Sequence, residues 1–244
     1  MTLRHEPLAL AIALALLACN GGSAQAPRLE GRSEAPAARE LTVHWVGEEH
    51  GDGPVLVLLH GWGAPGDDLV ALGQRLRASS GGTLRVAVPE APLRWPGGGL
   101  AWWQIDALGP RPADRWDERP DGLEAARRDL EALIASIDAS DVAIAGFSQG
   151  GMLAMEVGLR SDRVRTIASL SGGPLNADAW VERADDERVF LSHGRRDPLL
   201  RFDAAERLQR RLGEAGADVT WVPFDGPHAI PPVVVQRLGA FLRE

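Results

Sequence analysis

The sequence predicts an α/β fold: a mostly parallel central sheet flanked by helices on both faces. Three observations carry this. Short apolar runs without alternation, PVLVLLHG at 54–61 the clearest, have the pattern of strands buried on both faces of a parallel sheet. Other segments show helical spacing; Asp121 to Ile137 places apolar residues at 123, 126, 130, 133, 134 and 137. The two kinds of segment alternate along the chain, which is the order βαβ units require. A length of 244 residues suits one domain of ordinary size, and the sequence shows no internal repeat.

Each element can be placed in turn. LTVHWV at 41–46 alternates like a first strand, and 47–53 reads as a turn. After the strand at 54–59, residues 66–78 carry helical spacing through Leu69, Leu72 and Leu76. LRVAVPE at 84–90 is another short buried strand. A stretch rich in Pro, Gly and Trp then runs to about Arg119, too long for a simple connector and so a candidate functional loop. Beyond the helix at 121–137 come DVAIAGF (strand), 149–160 (helix), VRTIASLS (strand), RVFLSHG (strand), 203–213 (helix), DVTWVPF (strand) and 233–243 (helix).

Composition narrows the function. At 45% hydrophobic and 25% charged the chain is that of a soluble globular protein, and its net charge of -8 argues against a nucleic-acid partner. All 26 basic residues are arginine. The absence of lysine removes Schiff-base chemistry, the P-loop lysine and the kinase lysine together. A single cysteine, Cys19, excludes an intrachain disulfide, a thiolate zinc cluster and a CxxC redox motif.

That cysteine ends an N-terminal segment of its own. A charged start is followed by an apolar run from Pro7 to Ala18, shorter than the about 20 residues of a bilayer span but suited to a signal peptide at 1–18. LLAC at 16–19 resembles the bacterial lipobox, in which the cysteine is lipidated and becomes the first residue. AQA at 24–26 is a competing cleavage site that would discard the cysteine, and Pro27 makes it a poor one. Residues 19–40 are rich in Gly, Ser, Ala and Pro and read as a flexible tether spanning about 25 Å, with the folded domain at 41–244. The expectation is an exported protein on the periplasmic side of a bacterial membrane. Asn20 after the cysteine leans toward the outer membrane.

In open α/β sheets ligands bind beyond the carboxyl ends of the strands. Four chemistry-bearing groups fall there: His60-Gly61-Trp62-Gly63, Ser148, Asp197 and His228. Gly-Phe-Ser-Gln-Gly at 146–150 follows a strand and precedes a helix. A sharp turn of that kind pushes a serine hydroxyl outward and needs small flanking residues, here Gly146 and Gly150. The helix start behind Ser148 adds positive potential where an oxyanion would form. A serine needs a base and the base an orienting carboxylate, and the chain order Ser148, Asp197, His228 supplies both. Asp203, a candidate helix cap, and Asp225, on the His228 loop, are the competing acids. His60 and His193 also end strands and read as bracing residues; His5, His44 and His50 carry no signal.

These residues resemble the alpha/beta-hydrolase superfamily, and within it the phospholipase/carboxylesterase branch that includes acyl-protein thioesterases. LLHGWG at 58–63, PEAPLRWPGGGLAWWQI at 89–105, AGFSQGGML at 145–153, and SHGRRDPLLRF with FDGPHAIPP carry the resemblance from about residue 54 to the C-terminus. It implies Ser148 as nucleophile, Asp197 as acid and His228 as base, with an oxyanion hole from the backbone N–H groups of Trp62 and Gln149. Each such donor is typically worth about 10² to 10³ in rate. The chain departs from the family pattern at Ala64-Pro65-Gly66 and at Leu200-Arg201, both bordering the acyl side. Trp62, Trp95, Trp102 and Trp103 are candidates for an apolar acyl pocket, or alternatively for packing.

The resulting expectation is a serine hydrolase acting on a small-molecule ester or thioester with a small to medium acyl chain, without metal or cofactor. A peptidase or acyltransferase would use the same residues, and a non-catalytic lipoprotein keeping the fold as a binding module is the reading from another class.

Overall fold

The computed structural model describes residues 36–105 and 117–244. The signal segment 1–18, Cys19, the tether as far as residue 35 and the 106–116 part of the long loop lie outside the described residues. The strands are β1 (Val43–Val46), β2 (Val55–Leu59), β3 (Arg85–Pro89), β4 (Leu93–Arg94), β5 (Leu100–Ala101), β6 (Val142–Phe147), β7 (Val164–Leu170), β8 (Arg188–Gly194) and β9 (Asp218–Phe224). The helices are α1 (Val70–Ser79), α2 (Leu123–Ser136), α3 (Gln149–Gly158), α4 (Phe202–Glu214) and α5 (Pro232–Phe241).

Seven of these strands form one sheet in the order β1-β3-β2-β6-β7-β8-β9. Every neighbouring pair from β3 to β9 is parallel, and β1 joins antiparallel at the edge. β2 explains why its sequence lacks alternation. Val55, Val57 and Leu59 point into one apolar cluster, with α2, α3 and α4, while Leu56 and Leu58 point into a second, with α1 and α5. All five are fully buried. Burying each such side chain contributes about 1.5–3 kcal/mol, so a strand covered on both faces has no position to give to a polar residue.

The structure adjusts the sequence-based elements in three places. The helix expected over 66–78 is Val70–Ser79, because Gly66 takes φ 108 and keeps the preceding residues in a turn. The Pro/Gly/Trp-rich stretch holds a small antiparallel hairpin, β4 with β5, whose turn uses Gly98 and Gly99 at φ 101 and 81. Glycine adopts that left-handed backbone without a Cβ penalty. Between β7 and β8 lie two single 3-10 turns, Ala177–Ala179 and Val181–Arg183, which bury Trp180.

The hairpin is docked on the loop after β2. Gly63 N–H donates to Leu100 O, and Leu100 N–H to Ala64 O, both at 2.8 Å. At the other end of the described chain, Arg39 is tied to α2: its backbone N–H and Nε each donate to the Asp129 carboxylate at 2.8 Å. Residues from Ala37 onward thus belong to the same compact unit as the sheet. Among the described residues no helix is long and apolar enough to cross a membrane.

Candidate active site

The carboxyl ends of β2, β6, β8 and β9 deliver His60 to Trp62, Ser148, Asp197 and His228 to one edge of the sheet. Ser148 stands between β6 and α3 with φ 54 and ψ −115. A non-glycine residue held there costs about 1–3 kcal/mol. Two hydrogen bonds over-determine it: Ser148 N–H donates to Leu170 O at 2.9 Å, and Met152 N–H to Ser148 O at 3.1 Å. The flanking glycines are a steric necessity. A Cβ on Gly146 would overlap the Gly150 backbone, and one on Gly150 would overlap the carbonyls of Leu59 and His60. Strand, turn and following helix are packed backbone against backbone.

His228 and Asp197 meet directly. His228 Nδ1 donates to Asp197 Oδ2 at 2.6 Å, while Asp197 Oδ1 accepts the backbone N–H groups of Leu199 and Leu200 at 2.8 and 2.9 Å. With Nδ1 protonated, Nε2 of the neutral His228 ring is left as an acceptor. The Asp197 side chain has no solvent exposure. Burial alone would raise its pKa. The hydrogen bonds from His193, His228, Leu200 and Leu199 outweigh that and hold the carboxyl far below the usual carboxylate range. Gly194 makes the meeting possible, because a Cβ there would strike the carbonyls of Gly226 and Pro227 on the His228 loop. The other two acids are engaged elsewhere: Asp203 pairs with Arg201 and Arg207, and Asp225 with Arg196.

Ser148 and His228 line one pocket of about 170 Å3, together with Gly61, Gln149 and the apolar side chains of Trp62, Ile105, Phe147, Met152, Leu199 and Leu200. The His228 ring rests on Phe147 with centroids 4.8 Å apart. Trp62 and Gln149 line this pocket together with Ser148. Among the described residues neither of their backbone N–H groups donates to a backbone carbonyl, and that of Gln149 opens a helix, where no intrahelical acceptor exists. Also among the described residues, no three His, Cys, Asp or Glu gather closely enough to hold a metal ion.

His60 is a brace. Ala91 N–H donates to its Nε2 at 3.0 Å, so the ring hydrogen is on Nδ1, which donates to Gly61 O at 2.8 Å. Burial lowers its pKa, against a smaller upward pull from Gly61, and both nitrogens are spent on the loop.

Of the four candidate tryptophans, Trp62 lines the pocket and the other three pack around it. Trp102 and Trp103 are fully buried in the core below the site and do not line the pocket. The Trp102 indole N–H donates to His60 O at 3.0 Å, which satisfies its polar end inside the core. Trp95 reaches the site only by packing on Trp62, centroids 4.5 Å apart. The rest of the apolar wall comes from Met152, Leu199, Leu200, Ile105 and Phe147. Three of these left a trace in the sequence: Met152 is four residues after Ser148, on its face of the helix, and Leu199-Leu200 interrupts a polar loop. The Gln149 side chain also does more than sequence indicated. Its Oε1 accepts Trp102 N–H at 3.0 Å and its Nε2 donates to Trp103 O at 2.9 Å, tying the elbow to the tryptophan segment.

Known proteins resemble this chain in sequence and in fold. Residues 46–244 match the phospholipase/carboxylesterase family model, and the chain belongs to that family. It is a hydrolase with the alpha/beta-hydrolase fold. It is 26% identical over 215 residues to acyl-protein thioesterase 1 of Gibberella zeae, covering 76% of this chain and 84% of the relative. Acyl-protein thioesterase 1 of Yarrowia lipolytica is 30% identical over 168 residues, covering 61% and 71%. Among solved structures, esterase PE8 superimposes with a TM-score of 0.75 at 29% identity, covering 84% of this chain and 99% of its own. Acyl-protein thioesterase 2 of Zea mays, at 19% identity and a TM-score of 0.66 over 83% and 97%, shares the fold.

Proposed function

We propose that this enzyme hydrolyses carboxylic esters or thioesters through an acyl-enzyme on Ser148, with His228 as base and Asp197 as the acid that orients it. The observation that carries this reading is the 2.6 Å bond from His228 Nδ1 to buried Asp197, made beside the pocket that Ser148 and His228 share. His228 Nε2 takes the Ser148 proton as Oγ attacks the carbonyl carbon, and the carbonyl oxygen becomes the oxyanion. The N–H groups of Trp62 and Gln149, with the positive end of α3, receive that charge. His228 then protonates the leaving alcohol or thiol as its bond to the acyl carbon breaks. Water, deprotonated by the same ring, attacks the acyl-enzyme and releases the acid and free Ser148.

A fluorophosphonate probe tests the assignment. The parent is expected to label and lose its esterase activity, and Ser148→Ala to do neither. A folded parent that hydrolyses esters but is not labelled would overturn it.

We also propose that the protein is exported and anchored by a lipid on Cys19, on the periplasmic side of the membrane. Support comes from the apolar run ending in LLAC and from the Gly/Ser/Ala/Pro-rich tether after it. The relatives named acyl-protein thioesterases support the thioester side of this reading, while export would bring the enzyme substrates from outside the cytosol. Metabolic labelling with a fatty-acid analogue is expected to mark the protein and to be lost in Cys19→Ala; cleavage after Ala26 would leave both unmarked.

A further inference from the structure

We infer that His193 is a positioning residue for the reaction, fixing the carboxylate of Asp197 and the Leu199–Leu200 wall of the pocket through one N–H. This rests on the proposed role of Asp197 as the acid.

The His193 ring is buried at the end of β8, beside Phe202 with centroids 6.2 Å apart and the rings tilted by 60°. Phe202 is held in turn by Trp221 at 5.8 Å and by the Arg195 guanidinium above its ring. Nε2 of His193 lies 3.0 Å from Leu200 O and 3.3 Å from Asp197 Oδ2. Both neighbours only accept, so Nε2 carries the hydrogen and shares it between them. Nδ1 is buried and, among the described residues, has no hydrogen-bond partner. A second ring proton would place a charged, unpaired N–H in the interior. The ring is therefore a neutral donor, not the cationic half of an ion pair.

Asp197 is then gripped at both oxygens. Oδ1 holds two backbone N–H groups, and Oδ2 holds His228 and His193. Taking the His193 donor away leaves Oδ2 with His228 alone and leaves Leu200 O without its side-chain partner. The carboxylate keeps the Leu199 and Leu200 N–H groups on Oδ1 but loses the second donor that fixes Oδ2, so the Asp197–His228 pair is held less tightly in its orientation. His193 acts on the reacting atoms only through Asp197.

The comparison that tests this is His193→Phe, which keeps a ring and removes the donor, against His193→Gln, whose amide N–H offers a donor in the same direction. Thermal melts establish that both are folded. For His193→Phe we expect kcat to fall about 10- to 100-fold, with KM changed far less and the fluorophosphonate labelling rate falling in step with kcat. For His193→Gln we expect most of kcat to return. A folded Phe variant with parental kcat overturns the inference, as do Phe and Gln variants that lose activity equally, since that result assigns the residue to packing. If His193→Phe does not fold, His193→Met replaces it as the donor-free variant with the same expected and overturning results. A parent that fails to label overturns the nucleophile assignment and this inference together, whereas a labelled parent with indifferent variants overturns this inference alone.

Discussion

At the scale of single residues, the site is a set of positions with one admissible occupant. Gly150 is the sharpest case, because the atoms a Cβ would strike are the carbonyl oxygens of Leu59 and His60, which are fixed by the sheet. Gly150→Ala is therefore expected to destabilise the fold by about 1–3 kcal/mol and to abolish serine labelling, read by urea denaturation and by the probe. Asp197 has a different signature, in pH. Its folded carboxyl ionises well below the usual range, and an unfolded Asp does so near about 3.9. Below that value the unfolded chain binds a proton that the folded chain refuses. The stabilisation is thus complete above about pH 5 and is lost as pH falls through and below the unfolded value, with a slope of up to about 1.4 kcal/mol per pH unit. Asp197→Asn is expected to flatten the acid side of the stability–pH curve by that one proton, measured by urea denaturation in steps below pH 5. An unchanged slope would show that another carboxyl governs it.

At the scale of elements, the pocket is made by loops that the strands place but do not specify. The turn after β8 supplies Leu199 and Leu200, the first turn of α3 supplies Met152, and the loop after β2 supplies Trp62. Leu199 is 59% exposed at the rim of the pocket, an opening through which a leaving group can depart. Met152 is buried and belongs to both pocket and core, so it closes the acyl side. The enclosed 170 Å3 is the space of about six waters at about 30 Å3 each. Butanoyl and hexanoyl p-nitrophenyl esters are accordingly expected to exceed the hexadecanoyl ester by tenfold or more (about 1.4 kcal/mol) in kcat/KM. Met152→Ala is expected to move the optimum to longer chains. A parent that prefers the hexadecanoyl ester would refute this placement of the floor.

The same elements show what the sequence could and could not convey. The elbow was legible because strand, Gly-x-Ser-x-Gly and helix are contiguous, and its steric requirement is met within five residues. The Asp197 and His228 positions were legible because each follows a strand whose apolar run is unmistakable. The pocket wall was not. Whether a tryptophan lines a cavity or fills a core depends on partners far away in sequence. Trp102 was decided by His60 O, 42 residues distant, and no local pattern distinguishes the two outcomes. The shared donor of His193 was equally hidden, since it depends on how the loop carrying Leu200 folds back over β8.

At the scale of the whole molecule, the N-terminal end of the compact unit is tied down by one ion pair. Sequence composition puts the start of the folded domain at residue 41, because 20–40 lack any apolar period. Arg39 is nevertheless held by Asp129, through its backbone N–H, its Nε and a 2.8 Å contact from Nη2. The Asp129 side chain is 1% exposed and sits in the middle of α2, whose apolar face packs against the sheet. A carboxylate at that depth needs its partners; removing the guanidinium while keeping the backbone N–H leaves it incompletely bonded, at a cost of about 1–3 kcal/mol. For a domain of this size that corresponds to a fall in Tm of about 2–12 °C. Arg39→Ala is expected to show it in a thermal melt, and Asp129→Leu, which removes the buried charge together with the need for Arg39, is expected to show less. The Ser148 labelling rate should be unchanged in Arg39→Ala at temperatures below its melt, because Arg39 contacts no residue of the catalytic pocket. A parental Tm in Arg39→Ala would instead mean that the folded unit is held without this pair and that its N-terminal limit is set by β1.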